Sequence, residues 1–189
     1  MKYLCLFICW VNPECGGNNK FARTQMAQVK ITLSKSEFYA AAQVGLARQL
    51  QSMKPMENDH TSVERDPRMH WNNSIIGSAA ESAVAKYLNV YWGSGVNTFL
   101  DSDIVGIPCE VRCSPSTIRK PKVRERDTRI IIAVINSMDY QREFTIWGWI
   151  EAQFAKQDKW KSKSEPICWF VPEHQWNDIK LLKEEMENL

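Results

Sequence analysis

Apolar positions along the chain change period several times, and each change marks an element. Val29-Lys30-Ile31-Thr32-Leu33 alternates, which predicts a short strand. Ser34-x-x-Glu37 is a capping box, so a helix is expected over about 35–53, rich in Ala, Leu and Gln. Residues 54–70, with Pro55, Pro67 and mixed charges, read as a loop. Ile76, Ala80, Val84, Tyr87 and Leu88 recur at helical spacing and predict a helix over about 75–89. Gly93, Gly95 and Asn97 end that pattern. Strands are expected at about 98–105, 109–114, 129–136 and 143–149. The run 130–135 is wholly apolar, as in a strand buried on both faces. A short helix over 151–156 and a strand over 167–171 follow. From His174 the tail is amphipathic, with Trp176, Ile179 and Leu182 in register. Trp147 and Trp149 are expected on one face of their strand, in the core. Helices and strands alternating in this order predict an α/β (α+β) fold, a central mixed β-sheet flanked by helices.

The 189 residues divide as a peripheral N-terminal segment over 1–25, a helical arm over 26–72, an α/β core over 73–175 and a surface helix over 176–189. Met1-Lys2 before the apolar run 3–11 is a poor export signal, with one basic residue and no small-x-small cleavage site. Two explanations stay open: Met26 is the true start, or 1–25 is an ordinary arm. The hydrophobic fraction of 44% and charged fraction of 24% exclude disorder and a coiled coil as whole-chain descriptions. The longest apolar runs are too short to span a bilayer, so no membrane partner is expected. Six cysteines lack any Cys-x-x-Cys pair, which argues for reduced thiols and a cytoplasmic compartment. With 24 basic and 22 acidic residues, net charge alone does not announce a nucleic-acid partner. Phosphate-loop, dinucleotide and Ser/His/Asp patterns do not occur.

Candidate chemistry concentrates in Asp101-Ser102-Asp103-Ile104-Val105-Gly106-Ile107-Pro108-Cys109-Glu110-Val111-Arg112. Gly106 and Pro108 supply a turn that brings Asp103 back towards Glu110. Strand alternation puts Glu110 and Arg112 on one face and Cys109, Val111 and Cys113 on the other. Two close carboxylates repel unless a divalent cation neutralises them, and hard oxygen donors suit Mg²⁺ or Mn²⁺. Glu81, among Gly77, Ala80, Val84 and Ala85, is a third carboxylate on a helix made of small residues and surrounded by few other charges. Asp101 competes with Asp103 as a ligand. Solvation alone explains two acids at a turn; adding Glu81, Arg112 and the strand order describes a metal site. The segment 119–129 carries six basic residues, Arg119, Lys120, Lys122, Arg124, Arg126 and Arg129, against two acidic ones. It is a candidate phosphate-backbone contact, with Ser114, Ser116 and Thr117 as auxiliary donors; a solvated connecting loop is the alternative.

A helix with Gly-x-x-x-Glu, then Asp-x6-Glu-x-basic across a hairpin, resembles the PD-(D/E)XK nuclease superfamily over residues 74–172. The resemblance is closest to phage-type members with an Asp…Glu-Val-Arg core. In those, an apolar strand, Gly-Trp-Ile, a short helix and Phe-Val-Pro follow, as do 130–135, Gly148-Trp149-Ile150, 151–156 and Phe170-Val171-Pro172 here. The resemblance implies a restriction-endonuclease-like core and a phage-encoded, Mg²⁺-dependent deoxyribonuclease. It implies catalytic Glu81, Asp103, Glu110 and Arg112, the three acids holding Mg²⁺ or Mn²⁺. DNA is the implied partner, with RNA the alternative, and a dimer is allowed. Arg112 stands where the motif has lysine. Arginine cannot shed its proton, so it can orient or stabilise but not act as a base. A non-catalytic nucleic-acid-binding or phage assembly protein on the same fold is the competing expectation.

Overall fold

The computed structural model describes residues 28–53, 67–96, 101–115, 121–137, 142–163 and 165–188. Strand β1 (Val29–Thr32) runs into helix α1 (Lys35–Ser52). The Ser34 hydroxyl accepts the Glu37 N–H at 3.1 Å and the Glu37 carboxylate accepts the Ser34 N–H at 2.6 Å, which completes the expected capping box. Helix α2 (Pro67–Leu88) starts well before the expected residue 75. A residue in the first helical turn needs no N–H, so Pro67 opens the helix instead of breaking it. Then come β2 (Cys109–Pro115), β3 (Val123–Arg124), β4 (Ile130–Asn136), β5 (Glu143–Glu151), α3 (Ala152–Ala155), β6 (Cys168–Trp169) and α4 (Ile179–Glu187).

The fold is a mixed α+β arrangement around a four-stranded mixed sheet, ordered β1-β5-β4-β2. β5 is antiparallel to β1 and β4, while β2 lies parallel to β4 with Glu110 beside Ile131 and Arg112 beside Ala133. β4 is apolar from Ile130 to Ile135 because both of its faces are covered. Ile132 and Val134 pack with Ala79, Ala80, Ala83 and Val84 of α2 and with Cys109 and Val111. Ile131 and Ala133 pack with Val123, Trp147, Ile150, Trp169, Val171 and Trp176. The short β3–β6 pair and α3 therefore cover the face opposite α2.

Helix α1 packs closely against α2 at Gly45. A Cβ there would stand 2.6 Å from the Ile75 Cα, so only glycine permits this spacing. Gly77 has open space around it, and the buried alanines bring α2 against the sheet. Trp147 and Trp149 pack on opposite sides of the sheet, not on one. The cause is a bulge: Ala133 pairs with Gly148 and Val134 with Ile146, which leaves Trp147 as the extra residue. A Cβ on Gly148 would lie 2.5 Å from the Asn177 carbonyl oxygen, and Asn177 exchanges both backbone hydrogen bonds with Trp149.

The strand expected over 98–105 is, in its described part from 101, a turn with a single bridge between Ile104 and Ile107. The strand expected over 167–171 shortens to Cys168–Trp169. The last helix begins only after Asp178, whose carboxylate caps it by accepting the Lys180 N–H at 2.9 Å. Trp176 consequently sits outside that helix and fills the β3–β6 side, while Ile179 and Leu182 pack on the α2 side. Cys109, Cys113 and Cys168 carry free thiols, and burial pushes the first two up to about 12. The segment 1–25 lies outside the described residues.

Candidate metal and nucleic-acid site

Asp103 is fixed against the outer edge of β2 by two bonds. Its N–H donates to the Cys109 carbonyl at 3.1 Å, and its Oδ2 accepts the Val111 N–H at 2.6 Å. Gly106, at φ 81°, makes the reversal that allows this, a conformation few side chains tolerate. Buried Ile104 and Ile107 anchor the turn from below. Burial, and then the neighbouring charge of Glu81, push the Asp103 carboxyl up to about 6 despite the hydrogen bond from Val111.

Glu110 and Arg112 share one face of β2, as alternation requires. Burial and the charge of Asp103 raise the Glu110 carboxyl as well. Two guanidiniums flank it: Arg112 Nη2 and Arg129 Nη1 each stand 3.4 Å from one of its oxygens. Arg112 binds more tightly elsewhere, donating to Oδ1 of buried Asp127 at 2.6 Å. The Asp127 Oδ2 accepts the Arg124 N–H at 2.8 Å, so one carboxylate ties β2 to β3. Arg112 Nε is buried and has no partner among the described residues. Arg129, expected on phosphate, here donates to the Asp101 carbonyl at 2.6 Å as well as to Glu110. Asp101 itself is exposed and contributes that backbone oxygen.

Glu81 is buried and not in the charge-poor setting expected. Arg48 grips it bidentately, Nη1 to Oε1 at 2.6 Å and Nη2 to Oε2 at 2.7 Å, and Trp92 Nε1 approaches Oε2 at 3.4 Å. Arg48 also holds the Gly95 carbonyl at 2.8 Å. Glu81 belongs to the α2 side of the sheet, whereas Glu110 and Arg112 face β3. Asp103 lies on the edge between them: the charge of Glu81 raises it, and its own charge raises Glu110. Among the described residues, no group of three or more His, Cys, Asp or Glu is placed to hold a metal ion.

One concavity adjoins this edge and a second lies on the β3–β6 side. A cleft of about 390 Å³ runs past Arg48, Asp101, Asp103 and Gly106. A groove of about 700 Å³ lies between Lys122, Arg124 and Arg126 on one side and Ser162, Ile167 and Phe170 on the other. Three of the six basic residues expected on nucleic acid thus line one groove. Arg119 and Lys120, like Ser116 and Thr117, lie outside the described residues.

Sequence reading missed Arg48 and Asp127. Arg48 stands 33 residues before Glu81 on another helix, and nothing local marks the pairing. Asp127 was visible only as a negative charge diluting a basic segment. Comparisons with protein-family models, curated proteins and solved structures found no significant match to the chain. Among the described residues, no helix is long and apolar enough to cross a membrane.

Proposed function

We propose that the protein is a Mg²⁺- or Mn²⁺-dependent nuclease of PD-(D/E)XK type that hydrolyses DNA phosphodiester bonds, as its resemblance to phage-type members suggests. The observation carrying this reading is the carboxylate pair at the β2 edge. Asp103 and Glu110 are both raised by burial and by neighbouring negative charge. Arg112 and Arg129 offset part of the cost of that pair, and a divalent cation would offset more. Their hard oxygen donors fit Mg²⁺ or Mn²⁺, and the Asp103 hydrogen bond to Val111 uses only one of that carboxylate's oxygens. Glu81 fits less well, since Arg48 occupies both of its oxygens. A bound divalent ion lowers the pKa of its water and offsets charge on a phosphate.

The chain's own residues supply the rest. Arg112, oriented by Asp127, is a fixed positive charge beside Glu110 and stabilises a negatively charged phosphate without moving a proton. Arg48 holds Glu81 in position and brings a second cation to the Asp103 cleft. Lys122, Arg124 and Arg126 hold the backbone of the nucleic acid. The order of α2, the Asp103 turn, β2, β4, β5, α3 and β6 suits a restriction-endonuclease-like core.

The test is incubation with plasmid and linear DNA in Mg²⁺, Mn²⁺ or EDTA. Cleavage with either metal and none in EDTA is expected, and Asp103→Asn and Glu110→Gln should each abolish it. A second reading, a nucleic-acid-binding or assembly protein without turnover, is favoured by the Arg48 grip on Glu81. A chain that binds DNA and cleaves nothing with any divalent ion would establish that reading.

A further inference from the structure

We propose that the groove between β3 and the 162–170 segment binds unpaired nucleotides of a single strand, with phosphates on Lys122, Arg124 and Arg126 and a base against Ile167 and Phe170. The inference rests on the nucleic-acid half of the reading above and not on catalysis. Its volume of about 700 Å³ is in the range of small-ligand sites. Its walls differ in kind. One carries Lys122, Arg124 and Arg126; the other presents exposed Pro166 and half-buried Ile167 and Phe170.

Two acids, Glu125 and Glu165, line the groove beside the three cations and leave an excess of one positive charge. Glu165 Oε2 accepts the Ile167 N–H at 3.0 Å, within its own loop. The Arg124 guanidinium is pulled below its usual value by burial and by the nearby charges of Arg112 and Arg126. Like charges held together this way gain when an anion arrives. The backbone of the apolar wall is held in place: the Phe170 N–H donates to the Trp160 carbonyl at 2.9 Å.

Why a single strand and not a duplex follows from what each displays. A duplex stacks its bases inward and offers a cationic groove phosphates alone. An apolar wall set opposite the cations gains only from a base whose face is open. The strand that carries Arg124 is tied to the acidic edge: Arg124 N–H, Asp127, Arg112 and Glu110 form a continuous chain of contacts of 2.8, 2.6 and 3.4 Å.

The test is fluorescence anisotropy on the full chain in EDTA, which removes catalysis from the readout. The probes are a labelled oligothymidylate, an oligouridylate and a blunt hairpin duplex of equal charge. Both single strands should bind at least roughly tenfold more tightly than the duplex, because stacking adds to the charge term. Phe170→Leu should lose roughly tenfold on single strands and nothing on the duplex. Arg124→Gln and Arg126→Gln should each reduce the logarithmic salt slope by about 0.7. Duplex binding equal to or tighter than single-strand binding overturns the proposal, as does a folded Phe170→Leu chain with unchanged affinity. The comparison on the unaltered chain decides even if that variant fails to fold. Single-strand binding without cleavage in any metal would leave this inference standing and remove the nuclease reading. Metal-dependent cleavage with duplex preference would do the reverse.

Discussion

Asp103 is where burial and charge work against each other most plainly. Its carboxyl protonates at about 6 in the folded chain, against an ordinary value of 3.8. Between those values the native state binds more protons than the unfolded one, so stability rises as pH falls through about 6 and levels off below 3.8. In EDTA, Asp103→Asn should be more stable than the parent by roughly 2 kcal/mol at pH 7.5. That difference should vanish near pH 4, as urea titrations at both pH values would reveal. Arg112 gives the complementary case. Removing it strands the Asp127 carboxylate in the interior, so Arg112→Ala should cost about 3–5 kcal/mol in denaturant melts. It should also lower kcat by about 10²–10³ if the cation stabilises the reacting phosphate. Arg112→Lys keeps a positive charge within reach of Asp127 and should retain part of both. An Arg112→Ala chain as stable as the parent would remove the strut role assigned to Asp127.

At the level of elements, the contact between α1 and α2 controls how one acid is presented. Gly45 sits against the Ile75 backbone, and Arg48, one turn further along α1, reaches Glu81. Gly45→Val would need several tenths of an ångström or more of helix separation. It should destabilise the fold by about 1–3 kcal/mol, the usual range for overpacking, in a thermal melt. If Arg48 positions Glu81 for catalysis, the same variant should lose activity while its DNA affinity stays unchanged. Much of this level was legible in advance. The capping box located α1, and the all-apolar run located β4, because local hydrogen bonding and two-sided burial leave direct marks on sequence. The bulge that sends Trp147 and Trp149 to opposite faces left none: alternation is blind to a single inserted residue. The Asp103 segment was expected to close a strand over 98–105, but Ile104 and Ile107 pin a turn there. In the site, Asp103, Glu110 and Arg112 were legible from spacing. Their buried counterparts Arg48 and Asp127 were not, since ion pairs between distant segments have no periodicity.

For the whole molecule, the sheet carries its candidate site at one border and its packing elsewhere. Any ion that binds the folded border and not the unfolded chain adds to overall stability, by about 2.7 kcal/mol at a hundredfold excess over Kd. Millimolar Mg²⁺ or Mn²⁺ at pH 7.5 should therefore raise Tm of the parent, and Asp103→Asn should lose most of that rise. A parent Tm indifferent to both ions in differential scanning calorimetry would count against the metal site. The two bonds from Asp103 to β2 have a separate consequence, which concerns how copies of this chain behave towards each other. Among the described residues β2 is the last strand on its side, and a bare strand edge recruits other strands. The Asp103 N–H and carboxylate occupy the Cys109 carbonyl and the Val111 N–H, which an intruding chain would otherwise use. Asp103 is thus a guard against self-association as well as a candidate ligand. Replacing it with alanine opens Val111 to foreign backbone, whereas asparagine keeps an acceptor there. Loss of activity in an alanine variant would then mix aggregation with chemistry, and the asparagine variant separates them.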